Sequence, residues 1–329
     1  MSPLNAGLRD RFGRTIDYLR VSVTDRCDLR CSYCLPKGYR DFEDRGDWLD
    51  FDEIERVVGV FAQLGVGRVR LTGGEPLLRR GLAQLVGRLK ALPGVHDLSL
   101  STNATQLAGQ AAALRRAGVA RLNVSLDSLR ADRLQQITGR DVLGPVLEGL
   151  MAAKRAGFGP IKLNMVVLRG VNDDEIDDMA AFCIEHGFVL RLIEAMPVGD
   201  SGRSAQFADL QPIRRRLQQR FALLDAAIPG GGPARYLKSP DGRFSVGFIT
   251  PLSQHFCASC NRVRLSVDGT LYMCLGQDHS LPLRPLLRAG ASDAALISAV
   301  RTAIDLKPER HEFREAPGKV MRVMARTGG

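Results

Sequence analysis

From Leu19 to Met196 the chain switches repeatedly between two patterns. Short stretches alternate apolar and polar residues; longer ones repeat an apolar residue every three or four positions. The alternating stretches predict strands at about 19–24, 68–72, 97–103, 121–127, 161–168 and 189–196. The helical spacing predicts helices over 52–64, 80–92, 106–117, 130–138, 144–157 and 173–186. The first of these shows the rule, with Ile54, Val57, Val58 and Phe61 at i, i+3, i+4 and i+7. Asp52 is its expected N-cap, with Glu55 three positions on. Cys183 falls in line with Ile176, Met179 and Ala180, which predicts a core cysteine.

Strands that alternate with helices in this way predict parallel strands joined by crossover helices. The strand faces decide the architecture. An open sheet covered by helices on both sides needs strands that are apolar throughout. Here Leu19, Val21 and Val23 oppose Arg20, Ser22 and Thr24, and Val69 and Leu71 oppose Arg68, Arg70 and Thr72. The same split separates Leu98 and Leu100 from Ser99, Ser101 and Asn103. It recurs for Leu122, Val124 and Leu126 against Asn123, Ser125 and Asp127, and for Ile161, Leu163 and Met165 against Lys162 and Asn164. Burying the polar set without partners would cost about 1–3 kcal/mol per group. The expected fold is therefore α/β: an incomplete (β/α)6 TIM-like barrel whose polar lumen receives a hydrophilic substrate. In the last strand Arg191 and Met196 have opposite parity, which predicts a bulge between them.

Beyond residue 198 the chain changes character, with a basic helix over 210–224, a Gly/Pro-rich loop from Ile228 and a strand over 243–250. We expect a barrel region over residues 1–224 and a smaller C-terminal region over 225–329.

The 329-residue chain is long enough for one large and one smaller unit, and its 45% hydrophobic content is ordinary for a globular core. No apolar run reaches the roughly eighteen residues of a membrane span. Met1 to Asp10 lacks the apolar stretch of a signal peptide, so cytoplasmic residence without membrane attachment is expected. A net charge of +10 points to an anionic partner. Trp48 and the scattered phenylalanines offer no stacking platform, which argues against nucleic acid. Seven cysteines in clustered spacings favour metal ligation over a disulfide framework.

The first cysteine set follows the first strand: Cys27, Cys31 and Cys34, spaced C-x3-C-x2-C in a loop made polar by Asp25, Arg26, Asp28 and Arg30. Zinc sites close with four ligands, whereas three thiolates suit an iron–sulfur cluster that keeps one iron open. On such a barrel this loop, Gly73-Gly74-Glu75, Asn103, Asp127 and Met196 all fall at the C-terminal mouth, where active sites lie.

A second set, Cys257, Cys260 and Cys274, is spaced C-x2-C-x13-C. A hairpin around Gly269 would bring Cys274 back beside the pair. Spacing alone admits a zinc site completed by His255 or His279 as well as a second open cluster. Arg262 and Arg264 would point the same way on a strand, and paired guanidiniums suit phosphate. With Arg20, Arg70 and Lys162 in the lumen they form a candidate triphosphate site.

The first set, with aromatic Tyr33 before its last cysteine, resembles the signature of radical S-adenosylmethionine enzymes. The preceding Leu19 to Arg26, the Gly73-Gly74-Glu75-Pro76 stretch, Asn123 to Asp127, the second cysteine set with Asn261 to Arg264, and Gly328-Gly329 are similar to the GTP 3′,8-cyclase family, which begins molybdenum cofactor synthesis. That resemblance implies two four-iron–four-sulfur clusters, S-adenosylmethionine as cofactor and GTP as substrate. The second cluster would contact guanine. It implies S-adenosylmethionine contacts at Tyr33, Gly74, Ser125 and Met196, and a GTP contact at Ser101, where the family usually has threonine. Gly328 and Gly329 would enter the active site as a tail. Ala104 stands where the family has glycine. An external electron donor and a following enzyme that takes the product are implied as partners, and a homodimer is compatible. Two other readings are a radical enzyme acting on RNA or a peptide, and a non-catalytic zinc-binding module.

Overall fold

A computed structural model describes residues 7–228 and 231–328. The expected strands form as β1 (Tyr18–Ser22), β2 (Arg68–Thr72), β3 (Asp97–Thr102), β4 (Arg121–Ser125), β5 (Ile161–Val167) and β6 (Val189–Glu194). The chain continues with β7 (Leu224–Ala226), β8 (Arg235–Lys238), β9 (Ser245–Ile249), β10 (Arg262–Leu265), β11 (Thr270–Tyr272) and β12 (Ser280–Pro282). Helices α1 (Phe51–Gln63), α2 (Leu82–Ala91), α3 (Ala111–Ala117), α4 (Ala131–Thr138), α5 (Leu143–Arg155) and α6 (Ile176–His186) supply the crossovers. After β6 come α7 (Gly199–Arg203), α8 (Leu210–Arg220), α9 (Arg284–Arg288), α10 (Asp293–Asp305) and α11 (Met324–Thr327).

All the strands join one sheet in the order β12-β11-β10-β1-β2-β3-β4-β5-β6-β9-β8-β7. Strands β1 to β6 run parallel in chain order, as the alternation predicted. The later part of the chain does not stand apart from them. Strand β10 adds in parallel to β1, setting Leu19 beside Val263 and Arg20 beside Arg264. Strand β9 adds in parallel to β6 at the other edge. Antiparallel β11 and β12 extend one side, and β8 and β7 the other. Residues of β1, β5, β6 and β10 line one cavity, so the sheet curls into a partial barrel.

The apolar parity of each strand faces the helices. Leu19, Val21, Val69, Leu71, Leu98, Leu100, Leu122, Val124, Leu163 and Leu190 are buried in a single core with Val57, Phe61, Leu85 and Leu150 from the helices. Cys183 is buried there too, as its helical spacing predicted. The opposite parity carries the polar residues inward, where they pair: Arg70 Nε donates to Ser99 Oγ at 3.2 Å, and Arg191 Nε to Asn164 Oδ1 at 2.8 Å.

Several boundaries move for local reasons. Helix α1 is capped by Asp50, not Asp52. The Asp50 carboxylate accepts from the Glu53 backbone N–H at 2.8 Å, and Glu53 accepts in return from the Asp50 N–H at 2.9 Å. Leu49 before the cap and Ile54 after it share the core, while Asp52 and Glu55 hold Arg88 of α2. Helix α6 starts at Ile176 because Asp173 accepts from the Gly170 N–H and buried Glu175 accepts from Ser128, the Leu129 N–H and Arg133. No bulge interrupts β6. Its register with β5 is continuous from Val189 to Glu194, and Met196 lies in the loop beyond the strand.

Candidate active site: two cysteine triplets around one chamber

The first triplet lies at the C-terminal end of β1. Ser22 Oγ donates to the Thr24 carbonyl, and the Leu29 N–H points at Cys27 Sγ at 3.4 Å. The Cys34 N–H donates to the Cys31 carbonyl at 2.9 Å, closing the turn that gathers the three cysteines. The Gly73-Gly74 pair after β2 makes this packing possible. A Cβ on Gly73 would sit 2.2 Å from the Thr24 carbonyl, and one on Gly74 2.3 Å from the Arg26 carbonyl. The backbone itself docks there, through Gly74 N–H to the Thr24 carbonyl and Glu75 N–H to the Arg26 carbonyl, both 2.8 Å.

Cys27, Cys31 and Cys34 line one cavity of about 180 Å³ together with Tyr33, Gly74, Ser125 and Met196. Burial pushes the Cys27 and Cys34 thiols up to about 12 and Cys31 well above its ordinary value. Asp127 and Glu194 line the cavity, and Glu75 is buried behind the wall. Glu75 is raised to about 7 by burial, against hydrogen bonds from the Asn103 N–H (2.6 Å), the Leu77 N–H (3.0 Å) and Thr102 Oγ1 (2.7 Å). Burial likewise raises Asp127 to about 6, although it accepts from Tyr33 OH at 2.7 Å and the Val166 N–H at 2.8 Å.

The second triplet lines a neighbouring cavity of about 150 Å³. Its walls carry Arg20, Arg70, Arg191, Arg262 and Arg264, and no carboxylate among the described residues. The β10–β1 pairing puts Arg264 beside Arg20, and the β1–β2 pairing puts Arg20 beside Arg70. Burial, then the neighbouring guanidiniums Arg264 and Arg70, hold Arg20 well below its usual range. Burial followed by Arg262 lowers Arg264 to about 10. Burial lowers Arg191 to about 10. Arg262 Nε is buried with no hydrogen-bond partner among the described residues. Five guanidiniums with no carboxylate beside them among the described residues make this wall suited to an anion. The hairpin around Gly269 forms as expected and returns Cys274 to the pair, with Arg264 opposite Tyr272. For Cys260 the effect of burial is more than offset by the charges of Lys307 and Arg262, which bring its thiol down to about 7.

The two cavities are one chamber in two parts: Ser101, Asn164, Ile193 and Met196 line both. The chain end closes it. Arg322 donates to the carbonyls of Cys274 (3.0 Å), Leu275 (2.6 Å) and Gln277 (3.0 Å). The Ala325 N–H reaches the Cys34 sulfur, and Met324 lines the first cavity. Arg264 donates to the Gly328 carbonyl. Gly328 takes φ +71° against Thr72, whose Cγ2 would be 2.2 Å from an added Cβ. Gly329 lies outside the described residues.

Each triplet stands around a hollow. Among the described residues no group of three or more His, Cys, Asp or Glu side chains is set to hold a single metal ion. All six cysteines are free of disulfides. Three thiols around a cavity suit a cluster with iron at several corners better than one closed zinc ion.

The chamber brings together Tyr33, Gly74, Ser125, Met196, Arg20, Arg70, Ser101, Arg262 and Arg264 from the residues singled out in the sequence. Lys162 does not line it. This lysine is two residues nearer the start of β5 than Asn164, is buried with its Nζ over the Tyr236 ring at 5.4 Å, and is lowered to about 7 by burial and then Arg191. Sequence reasoning missed Arg191, although an arginine inside Val189-Leu-Arg-Leu-Ile was a signal. It also missed Arg14 and Lys307, which lie far from either motif in the chain.

A curled parallel sheet with a C-x3-C-x2-C loop at its C-terminal mouth is the architecture of the radical S-adenosylmethionine superfamily, whose family model matches residues 21–183. The family model described as Molybdenum Cofactor Synthesis C matches residues 188–313. A GTP 3′,8-cyclase of Ectopseudomonas mendocina is 46% identical over 327 residues, spanning 98% of both chains. GTP 3′,8-cyclase 1 of Pseudomonas aeruginosa is 47% identical over 327 residues, spanning 97% of this chain and 98% of the relative. The chain therefore belongs to the GTP 3′,8-cyclase family. Among solved structures, SuiB of Streptococcus suis bound to S-adenosylmethionine shares the fold, with a TM-score of 0.60 and 17% identity, covering 89% of this chain and 72% of that one. No helix among the described residues is long and apolar enough to cross a membrane.

Proposed function

We propose that this chain cyclises GTP to (8S)-3′,8-cyclo-7,8-dihydroguanosine 5′-triphosphate, the first step of molybdenum cofactor biosynthesis, using S-adenosylmethionine and two four-iron–four-sulfur clusters. The observation that carries this reading is the five-arginine, carboxylate-free cavity around the second triplet, opening directly onto the first. Four buried guanidiniums and the half-buried Arg262 crowd one wall and repel one another, and a triphosphate relieves that repulsion. A cluster on Cys27, Cys31 and Cys34, when bound, supplies the electron that cleaves S-adenosylmethionine to an adenosyl radical able to take hydrogen from ribose C3′.

The protein's own part is positioning and exclusion of water. Tyr33, Gly74, Ser125 and Met196 hold S-adenosylmethionine in the first cavity. Arg20, Arg70, Ser101, Arg262 and Arg264 hold GTP in the second, with Lys162 acting from behind the wall. Cys257, Cys260 and Cys274 would hold the second cluster, which would supply a contact for guanine. Gly328 closes the chamber, and Gly329 shares the tail's role in turnover. In this reading residues 1–224 generate the radical, and residues 225–329 carry the second cluster and the tail. An external electron donor feeds the first cluster, and the next enzyme of the pathway takes the product.

The test is anaerobic reconstitution with iron and sulfide, then S-adenosylmethionine, reductant and GTP. We expect 5′-deoxyadenosine and a cyclised nucleotide to form together and only with GTP. A colourless protein that holds zinc and no acid-labile sulfide, or cyclisation that requires RNA, overturns the reading.

A further inference from the structure

Behind the second triplet lies a pair of buried cations that substrate binding does not use. Lys307 follows α10 and is 2% exposed. Its ammonium donates to the Cys260 sulfur at 3.5 Å, the Arg262 carbonyl at 2.9 Å and the Met273 carbonyl at 2.7 Å. An ammonium has three protons, so this set occupies all of them. None of these acceptors is a carboxylate. A fully buried lysine is rare without a countercharge, and two carbonyls do not supply one. The missing negative charge has an evident source: the thiolates of an occupied ligand set, one of which Lys307 already touches.

Arg14 fixes the same region from the other side. It is buried against Asp10 in an ion pair of 2.5 Å. Its guanidinium donates to the carbonyls of Cys257 (2.9 Å), Glu309 (2.7 Å) and Pro308 (2.7 Å). The N-terminal segment, the loop carrying Cys257 and Cys260, and the segment just after Lys307 are thus tied at one point. Lys307 links Cys260 to the residue preceding Cys274. The two cations hold Cys257 and Cys260 directly and Cys274 through its neighbour Met273, although neither cation reaches the chamber wall.

We propose that Lys307, steadied by Arg14, is the positioning residue of the second triplet, and that its charge makes a cluster held there easier to reduce. Reduction adds one negative charge to a cluster. A positive group in hydrogen-bond contact with a ligand sulfur stabilises the reduced form more than the oxidised one. Among the described residues the donors to the first triplet's sulfurs carry no charge: the Leu29 N–H and the distant Asn103 amide for Cys27, Tyr33 for Cys31 and the Ala325 N–H for Cys34. The same electron donor would then meet two centres of different potential. This inference rests on reading the second triplet as iron–sulfur ligands.

The experiment compares full-length wild type, Lys307→Met and Lys307→Arg after anaerobic reconstitution. Iron and sulfide are counted, and both clusters are titrated potentiometrically with electron paramagnetic resonance detection. The first cluster is recognised by its response to S-adenosylmethionine. Lys307→Met should move the second cluster's potential to more negative values and leave the first unchanged, while Lys307→Arg restores the wild-type value in large part. If Lys307→Met instead loses half the iron, recovery of that iron in Lys307→Arg supports the proposal, and failure to recover it overturns it. Two clusters at wild-type potentials in Lys307→Met also overturn it, and leave the function above standing. A wild-type chain that takes up one cluster only removes the second-cluster reading itself.

Discussion

The two halves of the chamber solve opposite electrostatic problems. Around Cys27, Cys31 and Cys34 the buried ionisable groups are carboxyls, and burial raises Glu75 and Asp127 toward neutrality. Around Cys257, Cys260 and Cys274 they are guanidiniums, and burial followed by their mutual repulsion lowers Arg20 and Arg264. A sulfonium-bearing cofactor with a free amino group suits the first half. A polyanion suits the second. Construction differs as well. The first half is built mainly from the ends of β1 to β6 and the loops that follow them. The second exists because β10 from the far end of the chain lies beside β1. What separates the halves is therefore charge, and what joins them is the tail and the four residues they share.

The comparison breaks most readily at the arginines. Arg262→Ala combined with Arg264→Ala removes two charge-assisted contacts worth about 1.5–3 kcal/mol each, so GTP affinity should fall at least about a hundredfold. S-adenosylmethionine binding should hold, and unchanged GTP affinity in a binding titration would remove their role. Next in size is Gly328→Ala. The added Cβ meets Thr72 at a left-handed backbone position, a strain of about 1–3 kcal/mol. GTP-dependent turnover should drop roughly tenfold or more with the iron content of both halves intact. Full turnover would mean that the tail does not seat against Thr72.

A smaller effect concerns the lysine behind the arginine wall. Lys162 is lowered to about 7 from an ordinary 10.5. Below about 7 both folded and unfolded chains carry its proton, and the fold bears the full penalty. Between 7 and 10.5 the unfolded chain binds more protons, so this group's contribution to stability rises with pH across that window. Lys162→Met should flatten the rise in thermal melts from pH 7 to 10, and an identical pH profile would show that the charge is already relieved. The smallest effect lies in the first half. Ala104 sits at φ +63°, fully buried. Ala104→Gly should raise stability by about 1 kcal/mol by relieving the left-handed strain, with GTP affinity unchanged. A loss of stability would mean that the Cβ packing outweighs the strain.

Much of the first half was legible because its parts are local. The alternation in 121–127 carried the parity of Ser125 and Asp127, and the spacing of Cys27, Cys31 and Cys34 gathered three thiols in one loop after β1. The expected N-cap failed because two Asp–Glu pairs, Asp50–Glu53 and Asp52–Glu55, overlap in the chain, and Arg88 of a different helix claims one of them. The expected bulge in β6 failed because parity was counted past the strand's end. Lys162 follows the lumen parity but lies too near the start of β5 to reach the cavity, and depth along a barrel is not written in alternation.

The order of apolar and polar residues determined, on its own, the strands, their two faces and the polar interior, because side-chain direction along a strand is a local property of the backbone. The cysteine spacings likewise sorted six thiols into two triplets. Tertiary structure alone decided that the loops share a chamber, that Arg191 enters it, that Arg264 holds Gly328, and that Lys307 and Arg14 stand behind Cys260 and Cys257. Those contacts join residues far apart in the chain, and they form only when the sheet curls and its two edges take on β9 and β10.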